Sequence, residues 1–113
     1  MKPGASTPWG RADSVKAIGT IGLDTIYSVE TPSHGGYFVP KRLLHRIPQA
    51  HQERAARWSG SPQWYEEDCE WASVVIAFPE LFASFTLDAA KEAMEFRAKR
   101  EAEELALCLG RAD

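Results

Sequence analysis

The last quarter of the chain constrains the fold most. From Leu87 to Leu109 there is neither proline nor glycine, and Leu87, Ala90, Met94, Ala98, Ala102, Leu105 and Cys108 or Leu109 recur at helical spacing. Thr86 can cap the start of this helix, and Gly110 can stop it. Residues 86–109 therefore form a C-terminal helix of about 23 helical residues, roughly 35 Å long at 1.5 Å per residue. That is longer than a core built from 113 residues requires, so part of the helix is expected to project. Its middle, Glu95 to Glu104, is heavily charged, which suits either a solvated face or a helix that binds a partner or a second copy as a homodimer.

Upstream of that helix the pattern is strand-like. Residues 1–10 are rich in Pro, Gly, Ser and Thr and read as an irregular N-terminal arm whose end Trp9 pins to the core. Val15, Ala17 and Ile18 lead as a first strand into a loop over Gly19-Thr20-Ile21-Gly22-Leu23-Asp24. Thr25 to Thr31 alternates as a second strand until Pro32 stops it, and Tyr37-Phe38-Val39 returns as a third after the turn Ser33-His34-Gly35-Gly36. Three strands cannot bury two faces, so helices must cover one of them. Pro40 can open a helix with Leu43, Leu44 and Ile47 as its stripe, and residues 49–58 continue as a basic helical stretch to the break at Gly60-Ser61-Pro62. Glu66, Glu67, Asp68 and Glu70 then fall in the first turns of a helix whose apolar part, Trp71 to Phe78, is the central core helix before Pro79. The expected fold is α+β, a single domain over residues 1–113: a three-stranded antiparallel meander packed against two or three helices, with a long C-terminal helix.

The charge is two-sided. Residues 1–58 carry eight Lys or Arg against four acids, whereas 59–113 carry five against twelve, within a total of -3. No apolar run approaches the roughly 18 residues of a membrane span, and the N-terminus lacks the apolar stretch of a signal peptide, so no membrane role and a cytoplasmic location are expected. The two cysteines, Cys69 and Cys108, fit no metal spacing and read as reduced, buried small hydrophobes.

Two strings carry the candidate chemistry: Thr31-Pro32-Ser33-His34-Gly35-Gly36-Tyr37 and Trp64-Tyr65-Glu66-Glu67-Asp68-Cys69-Glu70-Trp71-Ala72. The first sets an imidazole beside two residues free to adopt positive φ, and the second packs four carboxylates and a thiol between aromatic anchors. A nucleophilic Cys69 needs a positive environment, yet Asp68 and Glu70 flank it and raise its pKa. Ser33 precedes His34 but lies in no nucleophile-elbow string. Glu66 and Glu70, four apart on one helical face, could join His34 around a metal, but there is no EF-hand spacing and no second histidine at helical distance, so neither metal nor cofactor is assigned. Lys41, Arg42, His45, Arg46, Arg54 and Arg57 cluster as a basic region, with Arg42 and Arg46 on a common face; the net negative charge and the lack of a nucleotide-binding motif argue against direct nucleic-acid binding. Most of the four tryptophans read as core residues, while Trp58 and Trp64, which flank the Gly60 break, are candidates for half-exposed interface anchors.

These two strings, preceded by Thr7-Pro8-Trp9-Gly10, resemble a small domain of unknown function found in proteins of phages, plasmids and other mobile elements. The resemblance covers about residues 7–82 and leaves out the long helix. It implies a setting among accessory genes that counter host defence, and with it an anti-CRISPR or other anti-defence protein in the cytoplasm of a bacterial host. Three readings follow. The first is a non-enzymatic inhibitor that binds a nucleic-acid-processing effector, such as a CRISPR–Cas subunit, through Glu66, Glu67, Asp68, Glu70 and Trp64 or through the acidic final helix, because clustered carboxylates imitate phosphates toward a basic groove. The second is a small hydrolase or transferase built around His34 with Glu66, Glu67 or Asp68, in which His34 and Glu67 are the catalytic candidates. In the third both strings are structural: His34 satisfies the hydrogen bonds of its turn, and Trp71 locks the helix to the sheet.

Overall fold

A computed structural model of the chain describes residues 1–111, with side chains through Leu109. The arm is not wholly irregular: β1 (Ser6–Thr7) and β2 (Gly10–Arg11) pair as a minimal antiparallel ladder. The main sheet follows, with β3 (Ser14–Ile21), β4 (Asp24–Glu30) and β5 (Gly35–Phe38) joined in antiparallel register. The first strand is longer than its sequence suggested. It runs through Gly19 by way of a bulge between Ala17 and Gly19, and the turn into β4 shrinks to Gly22 and Leu23. Gly22 takes φ 63°, a conformation that a two-residue hairpin requires and that a side chain resists.

Lys41–Arg46 forms a 3-10 helix that buries Leu43 and Leu44, and α1 (Gln49–Ser59) runs to its cap at Gly60. The chain then re-enters the sheet. Three residues, β6 (Trp64–Glu66), pair antiparallel with β5, giving a four-stranded sheet ordered β3-β4-β5-β6 where sequence had suggested three strands. The acids expected in the opening turns of a helix therefore sit on a strand end and the turn that follows it. Tyr65 decides this: fully buried opposite Tyr37, it anchors an extended backbone that a helix starting at Glu66 would withdraw from the sheet. The next helix, α2 (Trp71–Ala77), begins only at Trp71, and it buries Ala72, Ser73, Val74 and Val75 before Pro79–Leu81 turns the chain.

The main core joins Ile26, Val39, Leu43, Leu44, Ile47, Ala55, Tyr65, Val74 and Phe78. It lies between the sheet and the helical segments that follow it. A second, smaller cluster unites Ala72 and Val75 of α2 with Ala90 of the final helix, α3 (Ser84–Arg111). That helix starts ahead of Thr86, with Thr86 and Leu87 donating to the Ala83 carbonyl, and it runs through Gly110. Only Leu87, Ala90 and Met94 of the expected stripe pack; Ala98, Ala102 and Leu105 are exposed, and so is every residue from Ala98 to Leu109. The distal half of α3 thus leaves the body, and the molecule's principal extents are 54 × 29 × 24 Å. Among the described residues no helix is long and apolar enough to cross a membrane.

Candidate functional site

The pairing of β5 with β6 brings the two chemical strings together. Gly36 faces Glu66, Tyr37 faces Tyr65 and Phe38 faces Trp64, so the glycine pair lies inside a strand and neither Gly35 nor Gly36 has a positive φ. Gly36 is needed for a different reason. A Cβ there would collide with the Tyr65 carbonyl, lie 2.6 Å from the Trp9 indole and lie 3.0 Å from the Glu66 Cα. Glycine therefore lets three segments close on one another: the arm carrying Trp9, the strand β5 and the strand β6. Trp9 meets Trp64 edge-on at 5.6 Å between ring centres, and Trp64 in turn packs on Phe38 at 4.9 Å.

His34 ends the loop between β4 and β5. Its backbone, not its ring, satisfies the turn: Thr31 N donates to the His34 carbonyl at 2.7 Å, and His34 N donates to Thr31 Oγ1 at 3.1 Å. The ring is left free to reach across to β6, where His34 Nδ1 lies 3.1 Å from Glu66 Oε1. Asp68 joins them, so that His34, Glu66 and Asp68 each offer an atom within 4.8 Å of the others. Glu67 goes elsewhere: its backbone N–H donates to the Gly35 carbonyl, and its side chain lies against Gly35 and borders a groove with Tyr37 and Trp71. The phenol of Tyr37 is pushed up by burial and by the Glu67 charge.

Glu70 is the buried member of the acidic string, 2% exposed, just ahead of α2. It does not share a helical face with Glu66; instead its N–H donates to the Glu66 carbonyl at 2.8 Å, closing the turn. Its charge is met by Arg97 of α3, with Nη1 3.5 Å from Oε2, while the other guanidinium nitrogen donates to the Cys69 carbonyl. Burial pushes the Glu70 carboxyl above the usual range, and Arg97 and Arg54 oppose that shift. The Tyr65 hydroxyl, buried beside Glu70 with no hydrogen-bond partner among the described residues, is pushed up by burial and by that carboxylate. His51 is held below its ordinary value by burial and by Arg54 and Arg97. Sequence reasoning had no means of finding Arg97, because its partner lies in another element.

A cavity of about 260 Å³ opens over this junction, lined by Trp9, His34, Trp58, Trp64, Glu66 and Glu70 among others. Trp58 is 75% exposed and Trp64 half-buried, while Trp9, the residue expected to pin the arm, turns out to wall the cleft as well. Both cysteines are exposed rather than buried, because Cys69 sits on the turn and Cys108 on the projecting helix. Burial first, then Glu66 and Glu70, push the Cys69 thiol up, the opposite of what a nucleophile needs. Ser33 Oγ donates to the Trp9 carbonyl rather than to His34. Three of the six residues of the basic cluster are engaged in ion pairs: Arg42 with Asp24 at 3.4 Å, Arg46 with Glu80 at 2.7 Å and Arg54 with Glu101 at 3.3 Å.

The sequence matches, over residues 2–106, the model of the family described as "Domain of unknown function (DUF7007)". The chain belongs to that family. The match takes in the arm, the cleft and most of α3, so the long helix that the motif resemblance left out is part of the DUF7007 domain. No curated protein and no solved structure matches the chain.

Proposed function

We propose that this DUF7007 domain is a non-enzymatic binding module that grips a basic site on a partner protein through the Trp-walled acidic cleft. The partner in this reading is a nucleic-acid-processing effector of host defence, of the restriction or CRISPR–Cas kind, and binding inhibits it. The supporting observation is the composition of the cleft: the indoles of Trp9, Trp58 and Trp64 beside the carboxylates of Glu66 and Glu70. A guanidinium or ammonium head exchanges water for carboxylate oxygens and indole faces there, through charge-assisted hydrogen bonds and cation–π attraction. Effector grooves that hold phosphates are rich in such heads, and exposed Glu67 and Asp68 extend the negative field beyond the cleft. The exposed distal part of α3 offers a second contact surface, to the effector or to another copy of the chain.

The test is capture of restriction and CRISPR–Cas complexes by the tagged protein, compared with the Glu66→Lys/Asp68→Lys double variant. One effector subunit held stoichiometrically by the parent and lost by the variant, with its inhibition, is the expected result. Capture and inhibition that survive the charge reversal overturn the electrostatic reading.

A small hydrolase or transferase centred on His34 is the second reading, favoured by one observation, the 3.1 Å approach of His34 Nδ1 to Glu66. A carboxylate that orients an imidazole is the arrangement of a general base. Glu66 then takes the part that sequence had also offered to Glu67. His34→Ala separates the readings: effector binding persists in the first, and all activity is lost at unchanged stability in the second.

A further inference from the structure

We infer that His34, Glu66 and Asp68 form a binding site for a single divalent cation of the zinc type, a property that goes beyond either functional reading. The spacing is the first argument. Two ligands bound to one ion at about 2.1 Å stand about 3.0 Å apart at a right angle and about 3.4 Å apart at the tetrahedral angle. His34 Nδ1 and Glu66 Oε1 stand 3.1 Å apart, within that span. All three ligand atoms lie within 4.8 Å of one another, and the exposed Asp68 carboxylate has the freedom to close the remaining distance.

Backbone contacts place the three residues beside one another before any ion arrives. Thr31 fixes His34 through the hydrogen bonds of its loop, the pairing with Gly36 fixes Glu66, and the turn from Glu66 to Glu70 carries Asp68 back toward both. Glu70 stands next to the site without joining it. It lines the same cavity as His34 and Glu66 and is 2% exposed, but its carboxylate is held by Arg97 at 3.5 Å and so is no ligand of the site. With Glu70 matched to Arg97, Glu66 and Asp68 bring two carboxylate charges to the site, which a dication balances. An imidazole with two carboxylates suits zinc better than magnesium or calcium, which favour all-oxygen shells. Three protein ligands at an exposed mouth leave a coordination position for water or for a group of a partner.

The test is calorimetric titration of the chelator-stripped protein with zinc chloride, in a Cys69→Ser/Cys108→Ser background so that the two exposed thiols cannot bind the metal. One zinc per chain is expected, with affinity reduced at least tenfold by Asp68→Asn and more by His34→Ala. Cobalt bound in place of zinc should give visible bands without a sulfur charge-transfer band, a readout that needs no variant to fold. Absence of stoichiometric binding in the thiol-free chain, or an affinity unchanged in both ligand variants, overturns the site. Either result leaves the binding-module reading standing, because that reading is decided by effector capture.

Discussion

The β5–β6 junction and the distal half of α3 are opposite ways of using sequence. At the junction a few residues per segment are fixed by contacts from several parts of the chain: Trp9 from the arm, Gly36 and Tyr65 from the sheet, Arg97 from the last helix. In distal α3 a long, regular segment repeats one local conformation and reaches the body through little more than the Glu101–Arg54 ion pair, with Leu105, Leu107 and Leu109 all more than 60% exposed. The first region is specific because its contacts are non-local; the second is regular because its hydrogen bonds are local. Chemistry gathers where contacts are non-local, since only there can groups remote in sequence be held within a few ångströms.

Substitutions should divide along the same line. Phe78→Ala, which empties a fully buried ring site under Arg46, should cost about 3–5 kcal/mol in urea unfolding. A loss below about 1 kcal/mol would mean that this core is far looser than its burial implies. Gly36→Ala comes next, at about 2–3 kcal/mol, because the added methyl meets backbone and the Trp9 ring rather than a movable side-chain tip. The accompanying change should be a shift in tryptophan emission as Trp9 is displaced; an unchanged spectrum with unchanged stability would break the claim that the three segments close on this glycine.

A smaller effect tests the buried carboxyl. Because Glu70 is raised in the folded state, the folded protein binds its proton more tightly than the unfolded chain does. Its contribution to stability is therefore complete below the ordinary carboxyl value near 4.5 and is lost as pH rises through the folded value. Glu70→Gln cannot ionise, so its stability should fall less over that interval, the difference in slope reaching at most about 1.4 kcal/mol per pH unit. Parallel curves for variant and parent would place the titration elsewhere. At the bottom of the scale, Leu107→Ala should change stability by no more than about 0.5 kcal/mol, and a larger loss would reveal that the distal helix is covered in solution by another copy.

The same contrast explains what could be read from the residues alone. The alternation of Thr25 to Thr31 with its stop at Pro32, the apolar helix from Trp71 and the final helix are local patterns, and all three appear close to their expected places. β6 was hidden because three extended residues leave no period to detect, and acids ahead of an apolar run imitate a helix start. The glycines after His34 suggested a flexible turn, yet their function is close approach, which depends on Tyr65 and Trp9 far away in the chain. The helical stripe through Ala98 and Leu105 was visible, but periodicity says which residues share a face and not whether anything covers it. His34 and the acidic string were both singled out; that Glu66 rather than Glu67 meets the imidazole follows only from the strand register.

The Arg97–Glu70 contact also bears on how the domain is made. Arg97 follows Glu70 by 27 positions, so a ribosome adding about 5–20 residues per second delivers the carboxylate roughly one to five seconds before its guanidinium partner. During that interval, docking α2 on the sheet would bury the Glu70 carboxylate without its ion-pair partner, with Arg54 alone of its two guanidinium neighbours already made. The ion pair that completes the burial of Glu70 therefore forms only once the helix that carries Arg97 has been made.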